Sequence, residues 1–257
     1  MFRLSVCTGT LLQDLSFEQR VKRVAELGFE IELWGWEDSA LDAIAADANI
    51  KIAAIPGWGP GSMVNPEHVD TFLDGVEKNL QVAERLGCRT LNIGAGAIAE
   101  TGKCVYQPPQ HPGVLWMTAY KSLCSVAELA EKYDVIYNFE QLNIKTDHAG
   151  YPFPHVEDVV HLIDAVDSPR IKLLCDVYHV QVEQGNVIQT IRDYAKYVGH
   201  VHVADVPGRH EPGTGEINYP AVVEALKDVG YTGVVGLEAF PAGDDLEAIE
   251  RFREMFA

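Results

Sequence analysis

A chain of 257 residues is long for one β-sandwich and short for two full enzyme domains, and it matches the roughly 250 residues of a β/α barrel. Apolar residues at 47% can fill a substantial core, while charged residues at 23% are an ordinary level for a globular chain. The formal net charge of −18, from 20 basic against 38 acidic residues, repels polyanions, so nucleic acid is not expected as the main partner.

Taken in chain order, RLSVC (3–7) predicts a first strand. Ser16 before FEQRVKRVAELGF predicts a helix start, with Gly28 as its stop. EIELW (30–34) and KIAAIPG (51–57) predict the next two strands. Asn65-Pro66-Glu67 then reads as a cap followed by proline at the first helical position, opening an amphipathic helix that ends at Leu86-Gly87. TLNIGAG (90–96), VIYNFE (135–140), IKLLCDVY (171–178), HVHVAD (200–205) and GVVGLEA (233–239) complete the strands, and Gly230 ends another helix before the last of them. Most of these runs are near-continuously apolar, as strands buried on both faces of a parallel sheet are.

Eight alternations in this length predict an α/β fold, a closed (β/α)8 TIM barrel, as a single domain over residues 1–257. The long loops near 57–65, 97–113, 141–155 and 206–218 each follow a strand, which would put them on the catalytic face. Cys7, Cys88, Cys104, Cys124 and Cys175 are odd in number and form no CxxC, so reduced thiols are expected. No apolar run reaches about 18 residues and the N-terminus shows no signal region, so no membrane association is expected and the cytoplasm is the default compartment.

Four polar residues end or interrupt apolar strands: Glu140, Asp176, His202 and Glu238. Each alone reads as readily as a helix cap, an ion-pair partner or a satisfied core residue. Together, on four consecutive strands, they need a common partner, because an unpaired buried carboxylate is costly. One divalent cation would satisfy all four, and their ligand types suit Mn2+, Mg2+ or Co2+. His179, three residues after Asp176, could reach a substrate oxygen. His148 and Asn143 lie in the loop after Glu140, His148 as a base or substrate contact and Asn143 as a further substrate contact. Arg209 is a candidate for an anionic or hydroxyl-rich substrate. Trp34 and Trp36 could wall the pocket, and GTGE (213–216) lacks the strand–turn–helix context of a dinucleotide site.

The chain resembles the xylose-isomerase-like barrels, and within them the hydroxypyruvate isomerase group. The stretches that carry the resemblance are FEQLN (139–143), DVYHVQ (176–181), GHVHVADVPGRHEPGTGEINYPAV (199–222) and GLE (236–238). It implies Glu140, Asp176, His202 and Glu238 as metal ligands, Glu140 and Glu238 also as the acid/base pair, and His179 and Arg209 as substrate contacts. Hydroxypyruvate isomerases usually carry Gln where this chain has His202, which is more like the sugar epimerase branch. Ala239-Phe240-Pro241 also stands where a Tyr-Lys-Pro segment is usual, so the substrate stays open between a small sugar and a hydroxy-keto acid. The leading expectation is isomerisation or epimerisation next to a carbonyl through an enediolate. A lyase similar to C-glycoside deglycosidase catalytic subunits, a non-catalytic sugar-binding protein and a metal-dependent endonuclease are the rivals. Self-association into a homo-oligomer is left open.

Overall fold

The computed structural model describes residues 1–109 and 111–257. Its centre is a closed barrel of parallel strands in sequential order. The strands are β1 (Arg3–Cys7), β2 (Glu30–Glu32), β3 (Ile52–Pro56), β4 (Thr90–Ile93), β5 (Ile136–Glu140), β6 (Ile171–Asp176), β7 (Val198–Val203) and β8 (Val234–Leu237). Around them lie α1 (Phe17–Glu26), α2 (Leu41–Ala46), α3 (Val69–Leu86), α4 (Pro112–Tyr133), α5 (Val156–Val166), α6 (Val177–Glu183), α7 (Val187–Tyr194), α8 (Tyr219–Asp228) and α9 (Asp245–Phe256). Each predicted strand is present, most with ends trimmed by one to three residues.

Local chemistry explains the helix limits. Ser16 caps α1 in a reciprocal box with Gln19. Gly28, Gly87 and Gly230 follow α1, α3 and α8 in the left-handed region, with φ of 83°, 65° and 72°, which lets the chain turn sharply into the next strand. The expected start of α3 at Asn65-Pro66 is corrected: α3 begins at Val69, and the Asn65 side chain closes a preceding turn by accepting from Glu67 N. The expected strand over 171–178 is also shorter, because Asp176 caps a helix that takes Val177 and Tyr178 into its first turn.

The core forms between barrel and helices. Val21 and Val24 of α1, Phe72, Val76 and Leu80 of α3, and Phe252 of α9 are fully buried against strand residues such as Ile31, Leu91 and Val235. Burying each such side chain is worth about 1.5–3 kcal/mol, which fixes the strand register and so the aim of every residue at the strand ends. All five cysteines are free thiols. Among the described residues, no helix is long and apolar enough to cross a membrane.

Candidate active site

The ends of β5 to β8 bring Glu140, Asp176, His202 and Glu238 together. Asp176 pairs in register with His202, and His202 with Gly236, two residues before Glu238. All four are buried, and one ligand atom from each lies within 4.8 Å of the others. His202 Nδ1 is 3.8 Å from Glu140 Oε1 and 3.4 Å from Glu238 Oε2.

Whether this set suits a cation can be judged from its free atoms. Glu140 Oε1 and His202 Nδ1 are buried without a hydrogen-bond partner, a costly state for polar atoms. Both belong to the converging cluster, so one divalent cation would satisfy both. Three carboxylates and one imidazole are a hard-to-borderline donor set, and the absence of thiolate separates it from a structural zinc site.

Each member is aimed by its neighbours. Asp176 Oδ1 accepts from Tyr178 N at 2.7 Å and His179 N at 3.1 Å, which caps α6 and turns Oδ2 toward the cluster. Glu238 Oε1 accepts from Trp34 Nε1 at 2.5 Å, and its Oε2 accepts from Arg209 Nη2. Arg209 Nη2 also lies 3.5 Å from Asp176 Oδ2. His202 Nε2 meets Glu32 Oε2 at 2.7 Å.

The electrostatics are asymmetric. Burial raises Glu140 above the ordinary carboxylate range, with the charge of Glu238 adding to it. Burial likewise pushes Asp176 up to about 7, with Arg209 opposing and Glu140 and Glu238 reinforcing. Burial also acts against the charge on Glu238, but His202 and Arg209 outweigh it and bring that carboxyl down to about 2. For His202 burial favours the neutral ring, and Glu238 and Glu32 overcome it and raise the imidazole well above its usual value.

His179 is fully buried. Its Nδ1 faces two donors, Asn143 Nδ2 at 2.7 Å and Asn143 N at 3.3 Å, so Nδ1 accepts and Nε2 carries the proton. That Nε2 has no hydrogen-bond partner and lies 3.6 Å from Asp176 Oδ2, at the edge of the cluster. Burial, then Arg209, depress the ring well below its usual pKa and keep it neutral.

Asn143, expected among the substrate contacts, makes its side-chain hydrogen bonds within the chain. Its amide nitrogen also donates to Asp147 Oδ2, and its oxygen accepts from Thr146 N and Asp147 N. It therefore holds His179 and the loop. His148 lies beside His179, ring centroids 5.2 Å apart, outside the carboxylate cluster. Its Nδ1 donates to the Gly102 carbonyl at 2.8 Å, leaving Nε2 as the basic nitrogen, and burial lowers its pKa.

Arg209 sits in the loop after β7 with φ of 56°, over the Tyr178 ring at 5.1 Å. Asp205 anchors that loop by accepting from Val206 N, Gly213 N and Ile217 N. The Arg209 Nε is buried without a partner, so the guanidinium retains a donor for a ligand oxygen. Sequence reading missed Glu32 and His200, both buried beside His202. The available signal was the period of two on β7: His200 and His202 alternate along the strand and so share a face.

Fold and site together define a β/α-barrel protein with a carboxylate–imidazole cluster at the C-terminal mouth of the barrel. The family model described as xylose isomerase-like TIM barrel matches residues 21–255, and the chain belongs to that family. Among its relatives, the Escherichia coli (strain K12) hydroxypyruvate isomerase is 27% identical over 252 residues, covering 94% of each chain. The 2-oxo-tetronate isomerase of Pectobacterium atrosepticum is 26% identical over 246 residues, covering 91% of this chain and 90% of that one. A solved structure from Brucella melitensis, named AP endonuclease, family 2, superposes with a TM-score of 0.88 at 27% identity, covering 99% of both chains. The Escherichia coli 3-keto-D-glucoside 4-epimerase shares the fold, with a TM-score of 0.80 at 19% identity over 99% of this chain and 97% of that one.

Proposed function

We propose that this protein is a divalent-metal-dependent isomerase or epimerase that moves a proton next to the carbonyl of a small sugar or hydroxy-keto acid. The observation that carries the reading is the convergence of Glu140, Asp176, His202 and Glu238 with the unpartnered Glu140 Oε1 and His202 Nδ1. The names of the isomerase relatives agree with it.

In this reading the four residues hold one cation, Mn2+ foremost with Mg2+ or Co2+ as substitutes. When bound, that ion would withdraw electron density from the substrate's carbonyl and neighbouring hydroxyl and lower the cost of the charge that develops there. Glu140 and Glu238 approach the substrate from β5 and β8. The ionised member of the pair takes the carbon-bound proton, and the other, in its protonated form, gives a proton back. Return to the neighbouring carbon, with the hydroxyl proton passing to the former carbonyl oxygen, gives an isomer, and return to the opposite face of the same carbon gives an epimer. Arg209 Nε and the His179 Nε2–H supply hydrogen bonds that orient substrate oxygens. Trp34 and Phe240 form an apolar wall, their rings 6.2 Å apart near Glu238.

The name of the Brucella relative suggests a nuclease reading. The charge of −18 disfavours it, since DNA would approach an acidic surface.

The test is NMR of the Mn2+-loaded protein in D2O, with ketoses, inososes, hydroxypyruvate and related keto acids. Deuterium should enter the carbon next to the carbonyl. Glu140→Gln, Glu238→Gln or chelation should stop it. A panel without exchange, with metal shown to be bound, would discard proton transfer and turn attention to keto-glycoside cleavage.

A further inference from the structure

We infer that Glu32 is the positioning residue of this site: from β2 it reaches across the barrel interior and holds Nε2 of His202, so that Nδ1 faces Glu140, Asp176 and Glu238. The inference rests on the cation-dependent reading above and extends it to a residue outside the four-residue cluster.

In the closed strand order, β2 is separated from β7 by β1 and β8. Glu32 spans that gap. Ser5 of β1 pairs in register with Gly236 of β8, and Gly236 with His202 of β7. A Cβ on Gly236 would overlap Glu32 Oε1, so the glycine opens the passage through which the carboxylate reaches β7.

There the carboxylate is fully engaged. Oε2 meets His202 Nε2 at 2.7 Å, while Oε1 meets His200 Nε2 at 2.9 Å and accepts from Ser5 Oγ. Glu32 is only 2% exposed, and no polar atom of Glu32 or His200 is among the buried atoms lacking a partner. An ionised carboxylate can only accept, so both histidines must present N–H to it. That fixes one proton of His202 on Nε2 and makes Nδ1 the nitrogen that gives up its proton and offers its lone pair to a cation. A carboxylate behind a ligating imidazole is a general means of orienting the ring and raising its basicity. Glu32, His200 and His202 are also close enough to hold an ion of their own. Their hydrogen-bond distances and satisfied atoms favour the network over a second ion.

The test is Mn2+ titration of the full chain without substrate, using a competing fluorescent chelator, with bound ions counted by elemental analysis. Glu32→Gln keeps the shape but supplies one acceptor oxygen, and its NH2 confronts the second histidine. It should lower affinity by about 10–100-fold while the circular dichroism spectrum stays native. Ser5→Ala, which removes one contact to the same oxygen, should give a smaller loss in the same direction. The 15N spectrum of histidine-labelled, Zn2+-loaded protein should show a slowly exchanging Nε2 proton on His202 that Glu32→Gln loses; a merely structural role would leave that proton in place.

Equal Mn2+ affinity in wild type and Glu32→Gln would overturn the positioning role and leave the proposed function standing. Two ions per chain, with one lost in Glu32→Gln, would overturn it by making Glu32 a ligand. A wild-type chain that binds no Mn2+ would overturn both proposals. A failed substrate panel would not touch this measurement, which uses no substrate.

Discussion

The indole N–H of Trp34 donates to Oε1 of Glu238 at 2.5 Å, tying the end of β2 to the end of β8 across the barrel mouth. The ring seats where Gly9 has no side chain, since a Cβ there would come within 2.5 Å of it, and its edge meets Phe240. Trp34→Phe keeps an aromatic ring against Phe240 and removes the N–H donor together with the pyrrole half of the indole. A hydrogen bond to a charged group is worth about 1.5–3 kcal/mol, so kcat/KM for the best substrate should fall roughly 10–100-fold. An unchanged kcat/KM would show that Arg209 alone suffices to hold Glu238.

Bound metal should also appear as stability. At free Mn2+ about 100 times its Kd, linkage adds about 2.7 kcal/mol, and about 2–4 °C per kcal/mol for a chain of this size gives a rise in Tm of roughly 5–10 °C. Differential scanning calorimetry should record that rise and its reversal by chelator. His202→Ala, which removes the one nitrogen of the proposed cation site, should abolish the rise; a rise that survives would place the ion elsewhere.

The buried thiols offer a pH prediction of their own, with burial the main cause and the charges of Asp176 at Cys175 and of Glu238 and Glu32 at Cys7 adding to it. Burial lifts Cys88 to about 11 and Cys175 to about 12, and Cys7 higher still, from an ordinary value of 9.0. The native state therefore keeps these protons longer than the unfolded chain. The resulting stability is complete below pH 9 and is lost as pH rises through the native values. Urea titrations should show Cm falling between pH 9 and 12. A thiol reagent at pH 8 should label the half-buried Cys104 and Cys124 quickly, and the other three only after unfolding.

The barrel was legible because its strands are apolar on both faces, and Glu140, Asp176, His202 and Glu238 were legible because each is a polar residue in or ending such a run. Glu32 was hidden: in EIELW it alternates like a strand with one wet face, and only the closed barrel brings it to His202. Asn143 read as a ligand contact because it lies beside Glu140, whereas its hydrogen bonds run to Thr146, Asp147 and His179. The β-rich VYHVQV after Asp176 folds as a helix because a capped turn and tertiary packing override local propensity.

Asp176 carries two duties that substitution can separate. Its Oδ1 caps α6, while its charge sits among Glu140 and Glu238, in surroundings that raise its pKa to about 7. With the native value above the ordinary 3.8, ionisation costs stability as pH rises from about 4 through 7. Asp176→Asn retains an oxygen for the cap and carries no charge. In chelator at pH 8 it should be at least as stable as wild type, yet bind Mn2+ far more weakly. Asp176→Ala should also lose the cap, and fall below the Asn variant by about 0.5–2 kcal/mol. Urea unfolding of the three proteins, with and without Mn2+, reads both duties. An Asn variant less stable than wild type in chelator would mean that the Arg209 attraction, not burial beside two carboxylates, governs this position.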